Sequence, residues 1–383
     1  MKFIILQADG MPDRPLKQLD NKTPSSGSAL VETIVLTDEL DTWVCLKNMK
    51  AFLGDQRYSM YCLGKEKWVF DPKLKKDGRA ILACRGLSSW KDETKSSSEK
   101  CHHRIMGVTI DAELFSIDGK SGEICNDFGN NGRVNLREGL GEHPALYYWS
   151  TSPPAIINEK IVVGGSVIDN LSTDIPGGVV RAFDIRSGEL SWYWDPIPPE
   201  EATIIDENGN PLYRRGTANV WSIISADPDL NMVYLPTGNA SPDYYGGHRE
   251  GLEEYSSSIV ALNADTGKLI WSFQTVHHDI WDYDVPSQPT FYEFERNGEV
   301  IKALAQTTKT GLTFLLNRET GEPIFPIEEK EVPQGAIKGD YVSKTQPFPT
   351  KPAPLNPIYF AVSYTHLRAH ETDSYLVCRL LLE

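Results

Sequence analysis

The feature of this sequence that most restricts its fold is a short pattern that recurs five times along the chain. Each copy has a strand-like run, a turn with glycine and a second strand-like run that often carries tryptophan. In the last four copies Asp or Asn opens the turn and Ser-Gly or Thr-Gly closes it, which suits a tight hairpin. The copies are YCLGKEKWVFDP (61–72), LFSIDGKSGEIC (114–125), VRAFDIRSGELSWYW (180–194), IVALNADTGKLIWSF (259–273) and FLLNRETGEPIF (314–325).

The spacing of the copies indicates how the hairpins are assembled. The turn glycines stand at positions 64, 122, 188, 267 and 321, so neighbouring copies lie 54 to 79 residues apart. A period of this length accommodates four strands and long loops. Other strand-like runs lie between the copies, and convincing stretches of helical periodicity are nearly absent. The sequence predicts an all-β propeller of about five blades across residues 41–361.

Composition excludes several classes of partner. The chain has 38 basic and 53 acidic residues, and its net charge of −15 disfavours binding to nucleic acid or to an anionic membrane. No run approaches the roughly 20 apolar residues of a membrane span, and the apolar patch near the start is too short for a signal peptide. The six cysteines form no CxxC pair, which disfavours a zinc site and leaves one or two isolated disulfides possible.

The two ends of the chain depart from the repeat. Residues 1–40 are expected to form a polar, irregular segment. From about Val362 the sequence SYTHLRAHETDSYLVCRLLLE abandons the strand-and-turn pattern and resembles translated read-through. We therefore expect residues 362–383 to be a non-native tail, with a short C-terminal helix as the alternative. Under the first interpretation, His366, His370 and Cys378 carry no functional information.

The densest group of reactive side chains is TVHHDIWDYDVPSQP (275–289). Its two histidines and three acids are residue types that bind metal ions or move protons. Neighbours on an extended segment point to alternate faces, so the whole group cannot converge on one point. Some of its members must therefore be structural.

Polar residues also occupy strand ends and turns elsewhere in the chain. Taken singly, each fits a structural role, such as a capped turn, a surface lysine or a core tryptophan. The segments are ACRGLSSW (83–90), TSPPAIINEKIVVGGSVIDN (151–170), YRRGTANVWS (213–222), PTGNASPDYYGGHR (236–249) and TTKTGLTFLLNR (307–318).

Taken together and in this order, the segments resemble the PQQ-dependent quinoprotein dehydrogenases, most closely the membrane-bound glucose dehydrogenase branch with its quinate and polyol relatives. The resemblance covers roughly residues 60–358, and EKEVPQGAIKGDYVSKTQPFP (329–349) is nearly diagnostic by itself. It implies a propeller of the eight-bladed quinoprotein type, present here as an incomplete arc of about five blades.

The resemblance implies a role for individual residues. It makes Asp282, after the tryptophan of a WD pair, the general base. It makes Asp169, Asn239 and Asp282 contributors to a calcium or magnesium site, with Asn170 as an alternative ligand. The residues that it implies for contact with PQQ are Lys309 at the ortho-carbonyls, Trp221 against the flat ring system, and Arg85, Thr151 and Ser166 at the carboxylates and rim.

These residue types suit the cofactor, because a planar tricarboxylate requires cationic partners and a flat apolar surface, and a hard divalent ion takes oxygen ligands. His277, His278 and Asp279 are interpreted as structural. Asp284 is a weaker candidate for a second acid near the metal.

The resemblance implies oxidation of a sugar or cyclic polyol hydroxyl by hydride transfer to PQQ, with ubiquinone as acceptor, at the periplasmic face of a bacterial inner membrane. Ile81 stands where the glucose branch commonly has histidine, which favours a quinate-, shikimate- or polyol-like substrate over glucose. The missing blades and membrane helices of full-length relatives lead us to expect weak PQQ binding and poor turnover from this chain alone. The alternative is a non-catalytic propeller that serves as a scaffold or binding platform. A nicotinamide enzyme is disfavoured, because no GxGxxG follows a strand in a βαβ unit.

Overall fold

The chain divides into two compact units in its computed structural model. The larger unit comprises residues 83–118 and 124–355, and the smaller unit comprises residues 1–82, 119–123 and 356–383. The structure describes residues 67–75, 86–296 and 298–355, together with the backbone alone of residues 4–5, 33–36, 42–47, 57–62 and 65–66. Most of the predicted irregular segment and all of the predicted tail lie outside the described residues, so both expectations stay predictions.

The smaller unit contains a five-stranded antiparallel sheet whose strands are adjacent in chain order. Its strands are β1 (Ile4–Ile5), β2 (Thr33–Leu36), β3 (Thr42–Lys47), β4 (Arg57–Cys62) and β5 (Lys65–Phe70). The pairing of β4 with β5 forms the first hairpin that the repeat predicts. Its turn lies outside the described residues.

The larger unit begins with two four-stranded antiparallel sheets. The first consists of β6 (Ser88–Lys91), β7 (His103–Val108), β8 (Glu113–Asp118) and β9 (Arg133–Asn135). The next strands are β10 (Tyr148–Trp149), β11 (Ala155–Ile157), β12 (Lys160–Val163), β13 (Ser166–Val167), β14 (Val180–Asp184) and β15 (Leu190–Trp194). Strands β11, β12, β14 and β15 form the second sheet, and β10 pairs with β13 beside it.

Two further sheets follow, of four and three strands. After a small hairpin of β16 (Ile204–Ile205) and β17 (Pro211–Leu212), the third sheet consists of β18 (Ser225–Asp227), β19 (Met232–Pro236), β20 (Ser258–Asn263) and β21 (Leu269–Gln274). The fourth consists of β22 (Thr290–Arg296), β23 (Glu299–Thr307) and β24 (Thr313–Asn317). A final ribbon pairs β25 (Ile327–Glu331) with β26 (Thr345–Pro349).

The sheets of the larger unit pack face to face in chain order. Side chains of the second and third sheets share one apolar cluster, which includes Val162, Trp192 and Val260. Side chains of the third and fourth sheets share another, which includes Tyr234 and Leu304. Because the central strands are covered on both faces, they are apolar at successive positions and not at alternate ones. The described residues contain no α-helix, and their short 3-10 turns are Ala145–Tyr147 and Gly246–His248. The prediction of an all-β chain is confirmed.

The tryptophan and glycine of the repeat contact each other from one copy to the next. The indole of Trp192 donates to the carbonyl of Ala264 at 2.8 Å, and Trp271 donates to the carbonyl of Arg318 at 3.2 Å. A Cβ atom added to Gly267 would lie 2.5 Å from the Trp192 ring, so only glycine lets the turn approach so closely. The third and fourth copies of the repeat are therefore each fastened to the turn of the following copy.

A disulfide joins Cys101 to Cys125 within the first sheet of the larger unit. The linked cysteines precede β7 and follow β8, and both side chains are buried. This bond is one of the isolated disulfides that the cysteine spacing left open. Disulfides form and persist in oxidising compartments.

Candidate active site

The candidate site lies in loops at the same end of the strands of the sheets. Asn239 follows β19 and Lys309 follows β23, which are the second strands of the third and fourth sheets. Asp169 follows β13, the second strand of the two-stranded ribbon beside the second sheet. Asp282 follows a fourth strand, and Trp221 precedes a first strand. In an antiparallel sheet whose strands are adjacent in chain order, the second and fourth strands end on the same side as the start of the first strand. This topology places five separated segments at the same end of the strands.

Asp284 is the acid to which three of these segments bind. The backbone N–H of Asn239 donates to its Oδ1 at 2.6 Å. The indole of Trp221 donates to its Oδ2 at 3.1 Å, and the Lys309 ammonium lies 3.0 Å from the same oxygen. The residue is buried. Asp284, the weaker candidate in the sequence, therefore holds three predicted site residues together.

The Lys309 ammonium group is ion-paired with two carboxylates. Its Nζ lies 3.0 Å from Oδ1 of Asp282 and 2.9 Å from the Asp282 carbonyl, in addition to its contact with Asp284. Burial by itself would lower the pKa of Lys309, but the two acids outweigh it and the pKa is raised. Nζ also lies 5.9 Å from the centre of the half-buried Trp221 ring. The structure thus places a cation, an acid and a flat aromatic surface side by side.

Asp282 sits on a tight turn that Asp279 supports. The Asp279 carboxylate accepts the N–H groups of Trp281 at 2.9 Å and of Tyr283 at 2.7 Å, and the Ser257 hydroxyl at 2.7 Å. Between those two amides, Asp282 adopts a positive φ of 57°, a conformation that costs energy for a residue with a side chain. Asp279 therefore has the structural role that the sequence predicts for it.

The pKa of Asp282 is raised to about 6. Burial is the largest cause, followed by the negative charge of Asp284, and Lys309 opposes both. A carboxyl group with this pKa is ionised at neutral pH and is a stronger base than an ordinary carboxylate. These properties are those of a general base for an alcohol.

Further oxygen donors lie near Asp284. Burial and the charge of Asp284 raise the pKa of Asp169. Burial and the charges of Asp169, Asp284 and Asp282 raise the pKa of Asp243 to about 7. Asp243 is 5% exposed, and its Oδ2 has no hydrogen-bond partner among the described residues. Asn239 is buried beside it and donates from Nδ2 to the Asp243 carbonyl at 3.2 Å.

The buried Oδ2 of Asp243, which has no hydrogen-bond partner among the described residues, indicates whether a divalent cation suits the site. Buried acids that repel one another and lack hydrogen-bond donors are stabilised by a positive charge. Carboxylate and amide oxygens are the donors that calcium and magnesium take. The donor set therefore fits the ion that the resemblance implies. The sequence missed Asp243, although it stands in the PTGNASPD string, since nothing in the string shows its burial among other acids.

Two of the remaining predicted residues, Thr151 and Ser166, lie next to Trp221. The Thr151 hydroxyl donates to the Trp221 carbonyl at 2.9 Å and lies 3.4 Å from the Ser166 hydroxyl, so these two polar residues adjoin the tryptophan. Asn170 accepts the N–H of Tyr244 at 3.1 Å through its side chain, a structural contact between loops. Arg85 lies outside the described residues.

The part of the chain that the structure describes has no helix with the length and apolar character needed to cross a membrane. The fold and the site together define a β-propeller with acids, a lysine and a tryptophan gathered in loops at the same end of its strands. Residues 62–379 match the family model described as "PQQ: Glucose/ethanol/alcohol dehydrogenase, beta-propeller domain". The chain belongs to this family.

Curated relatives include enzymes with different substrates in their names. The chain is 39% identical to the quinoprotein glucose dehydrogenase of Escherichia coli strain K12, over 86% of this chain and 41% of that protein. It is 40% identical to the glycerol dehydrogenase large subunit of Gluconobacter oxydans, over 75% and 39%. It is 39% identical to the quinate/shikimate dehydrogenase (quinone) of Acinetobacter baylyi, over 78% and 39%. The chain thus spans about two fifths of the length of these relatives.

Solved structures show the same fold at lower sequence identity. The quinohemoprotein alcohol dehydrogenase of Comamonas testosteroni aligns with a TM-score of 0.58 at 21% identity, over 82% of this chain and 45% of that one. A europium-containing methanol dehydrogenase aligns with a TM-score of 0.59 at 20% identity, over 83% and 53%. The propeller prediction and the family resemblance are both confirmed.

Proposed function

We propose that this chain forms the cofactor-facing part of a PQQ-dependent dehydrogenase that oxidises a hydroxyl group of a sugar or cyclic polyol. The observation that carries the proposal is the contact of Lys309 with both Asp282 and Asp284, next to Trp221. A scaffold has no need for two acids, a cation paired with both of them and a flat ring at one place. PQQ, when bound, accepts the hydride from the carbinol carbon of the substrate.

The side chains would divide the remaining work. Asp282 takes the hydroxyl proton, because it is a carboxylate held by Lys309 beside the Trp221 ring. Lys309 supplies positive charge for an anionic cofactor, and Trp221 supplies a flat surface for its rings. Thr151 and Ser166 lie beside Trp221 and would contact the cofactor rim, as would Arg85.

A calcium or magnesium ion would be held by Asp169, Asn239 and Asp282, with Asp243 as a further oxygen donor. The orphaned Oδ2 of Asp243 supports this set. The ion would offset the repulsion among the acids and hold the loops after β13 and β19 together.

The names of the relatives support the substrate class and the kind of acceptor that we propose. They include glucose, glycerol and quinate or shikimate, so we infer a polyhydroxy substrate. One name also includes a quinone, and we propose ubiquinone as the electron acceptor. We place the protein at the periplasmic face of a bacterial inner membrane, through segments outside this chain. The Cys101–Cys125 disulfide supports an oxidising compartment of this kind.

Cofactor binding and turnover test the proposal together. PQQ is titrated into the chain with and without Ca²⁺ while tryptophan fluorescence is followed, and dye-linked oxidation is then measured with glucose, quinate and glycerol. Saturable quenching that Trp221→Phe reduces, together with turnover that Asp282→Asn abolishes, would support a dehydrogenase. Asp206→Asn, on an exposed turn, is the matched control. Absence of both quenching and turnover would show that this chain alone does not form the proposed site, whereas saturable quenching that Trp221→Phe leaves unchanged would contradict the proposed cofactor contact.

A further inference from the structure

His278 lies where three segments of the larger unit meet. Its Nδ1 is 2.8 Å from Oε2 of Glu253, and its Nε2 is 2.8 Å from Oδ1 of Asp340. The ring also stacks on Tyr341, with 3.6 Å between the ring centres. Both ring nitrogens are thus within hydrogen-bonding distance of a carboxylate oxygen. The side chain is 4% exposed.

The segment that carries Asp340 is fastened at more than one point. Oδ2 of Asp340 accepts the N–H of Gly246 at 2.9 Å, and its Oδ1 accepts the N–H of Tyr341 at 2.8 Å. A Cβ atom on Gly246 would lie 2.2 Å from the His278 ring, so glycine permits the close approach. His278 thereby joins the loop between β25 and β26 to the loop after β19.

Glu253 connects His278 to the buried guanidinium of Arg249. Its Oε1 lies 3.0 Å from the guanidinium of Arg249, whose side chain is completely buried. Arg249 in turn donates to the carbonyl of Asp279 at 2.6 Å and to the carbonyl of Ala240 at 3.3 Å. One carboxylate is thus shared by His278 and Arg249, and a buried guanidinium without its partner is costly.

The contacts of Arg249 end beside the candidate cation ligand Asn239. The Asp279 carbonyl that accepts from Arg249 also accepts from Nδ2 of Asn239 at 2.8 Å. The Ala240 carbonyl belongs to the next residue in the chain. Arg249 therefore fixes both the backbone after Asn239 and the group that orients its amide.

We propose that His278 is a positioning residue for the cation site, acting through Glu253 and Arg249 on the side-chain amide of Asn239. The inference rests on the proposed function, because it concerns the same cation site. His278 touches none of the ligands itself. Its role is to keep Glu253 in the place that holds Arg249, and Arg249 sets the direction in which the Asn239 oxygen faces. Partners outside the ligand set commonly orient ligands in this way.

Two measurements on the whole chain test the inference with His278→Gln. Hydrogen exchange is followed by mass spectrometry in peptides covering 236–245 and 332–344, and Ca²⁺ affinity is measured by calorimetry. We expect faster exchange in both peptides, since the amides of Asn239 and Ala240 are hydrogen-bonded in the wild type. We expect the Kd for Ca²⁺ to rise about 10- to 100-fold, as for other substitutions of outer-shell partners.

His277→Gln is the matched control. The His277 ring is one third exposed and contacts Gln274 at 2.8 Å and Glu329 at 3.1 Å, and neither partner is a side chain of the His278–Glu253–Arg249 network. This variant should leave exchange at 236–245 and Ca²⁺ affinity unchanged. Asp340→Asn removes one charge from the same network while keeping the loop sequence, and it should reproduce the His278→Gln effect if that variant folds poorly.

The outcomes separate this inference from the function on which it rests. Faster exchange confined to 332–344, with unchanged Ca²⁺ affinity, would show that His278 only anchors that loop and would overturn the inference. If the wild-type chain binds no Ca²⁺, the proposed cation site fails. The hydrogen-exchange rate of the peptide covering 236–245 is then the one measurement that tests whether His278 positions Asn239. An unchanged rate in His278→Gln would overturn the inference.

Discussion

The ammonium group of Lys309 lies 3.0 Å from a carboxylate oxygen of Asp282. A second acid, Asp284, is equally close to the same nitrogen. Two carboxylates that repel each other are therefore paired with one cation. Removal of Lys309 would leave the two acids adjacent with no positive charge between them.

Lys309→Met should weaken PQQ binding by at least about tenfold, because the loss of one charge-assisted contact to an anion costs about 1.5–3 kcal/mol. Fluorescence titration of the chain with PQQ measures the effect. Lys309→Arg retains the charge and should lose less affinity. Equal affinity in the Met variant and the wild type would show that the lysine serves only to hold the two acids.

The hairpins and part of the site could be predicted from the sequence. Turn chemistry and tryptophans are local signals, so the repeat located the hairpins β4–β5, β14–β15 and β20–β21 correctly. In the copies at 114–125 and 314–325 the second run forms only an isolated bridge and not a strand, which the local signals could not distinguish. Asp282 and Asp284 are two residues apart, a spacing at which side chains share a face, and both contact Lys309. The importance of Asp284 was underestimated, because its partners Trp221 and Asn239 come from segments far away in the chain.

Asp243 and His278 were beyond sequence reasoning for a related reason. The raised pKa of Asp243 depends on burial and on acids from other loops. The charge partners of His278 lie 25 and 62 residues away. A short string shows which side chains are present, and only the fold shows which of them meet.

Gly267→Ala tests the contact between successive repeats. Gly267 has a φ of 68°, and its new methyl group would overlap the Trp192 ring. The backbone conformation alone costs about 1–2 kcal/mol, and displacement of the tryptophan should bring the loss to about 3 kcal/mol or more. Urea denaturation measures the free energy of unfolding.

Gly251→Ala is the control for this comparison. Gly251 has a similar φ of 76° and nothing within 4 Å of the added atom. It should show only the backbone cost of about 1–2 kcal/mol. A loss in Gly267→Ala no larger than in Gly251→Ala would mean that Trp192 accommodates the methyl group freely.

Reduction of the disulfide should destabilise the larger unit. The bond joins residues 24 positions apart, and closing a loop of this size typically stabilises a protein by about 2–4 kcal/mol. A reducing agent should therefore lower the Tm of the wild type. The double variant Cys101→Ala, Cys125→Ala should melt at the lower temperature with or without reductant. An unchanged Tm of the reduced wild type would contradict the prediction.

Asp195→Asn should stabilise the chain at neutral pH. Burial raises the pKa of Asp195 from 3.8 to about 6, although the N–H of Arg214 donates to its Oδ2 at 2.9 Å. Between these two pKa values the folded state binds more protons than the unfolded state, so the free energy of unfolding falls as pH rises. The fall amounts to about 3 kcal/mol at 1.36 kcal/mol per pKa unit.

An asparagine at position 195 keeps an oxygen that can accept from Arg214 and removes the titrating charge. The variant should match the wild type near pH 4 and exceed its stability by up to about 3 kcal/mol at pH 7. Denaturation in urea across this range supplies the comparison, with Asp229→Asn, at a side chain 79% exposed, as the control that should track the wild type. A constant difference between Asp195→Asn and the wild type at every pH would show that Asp195 does not titrate in this range, because only a protonation difference between the folded and unfolded states makes stability depend on pH.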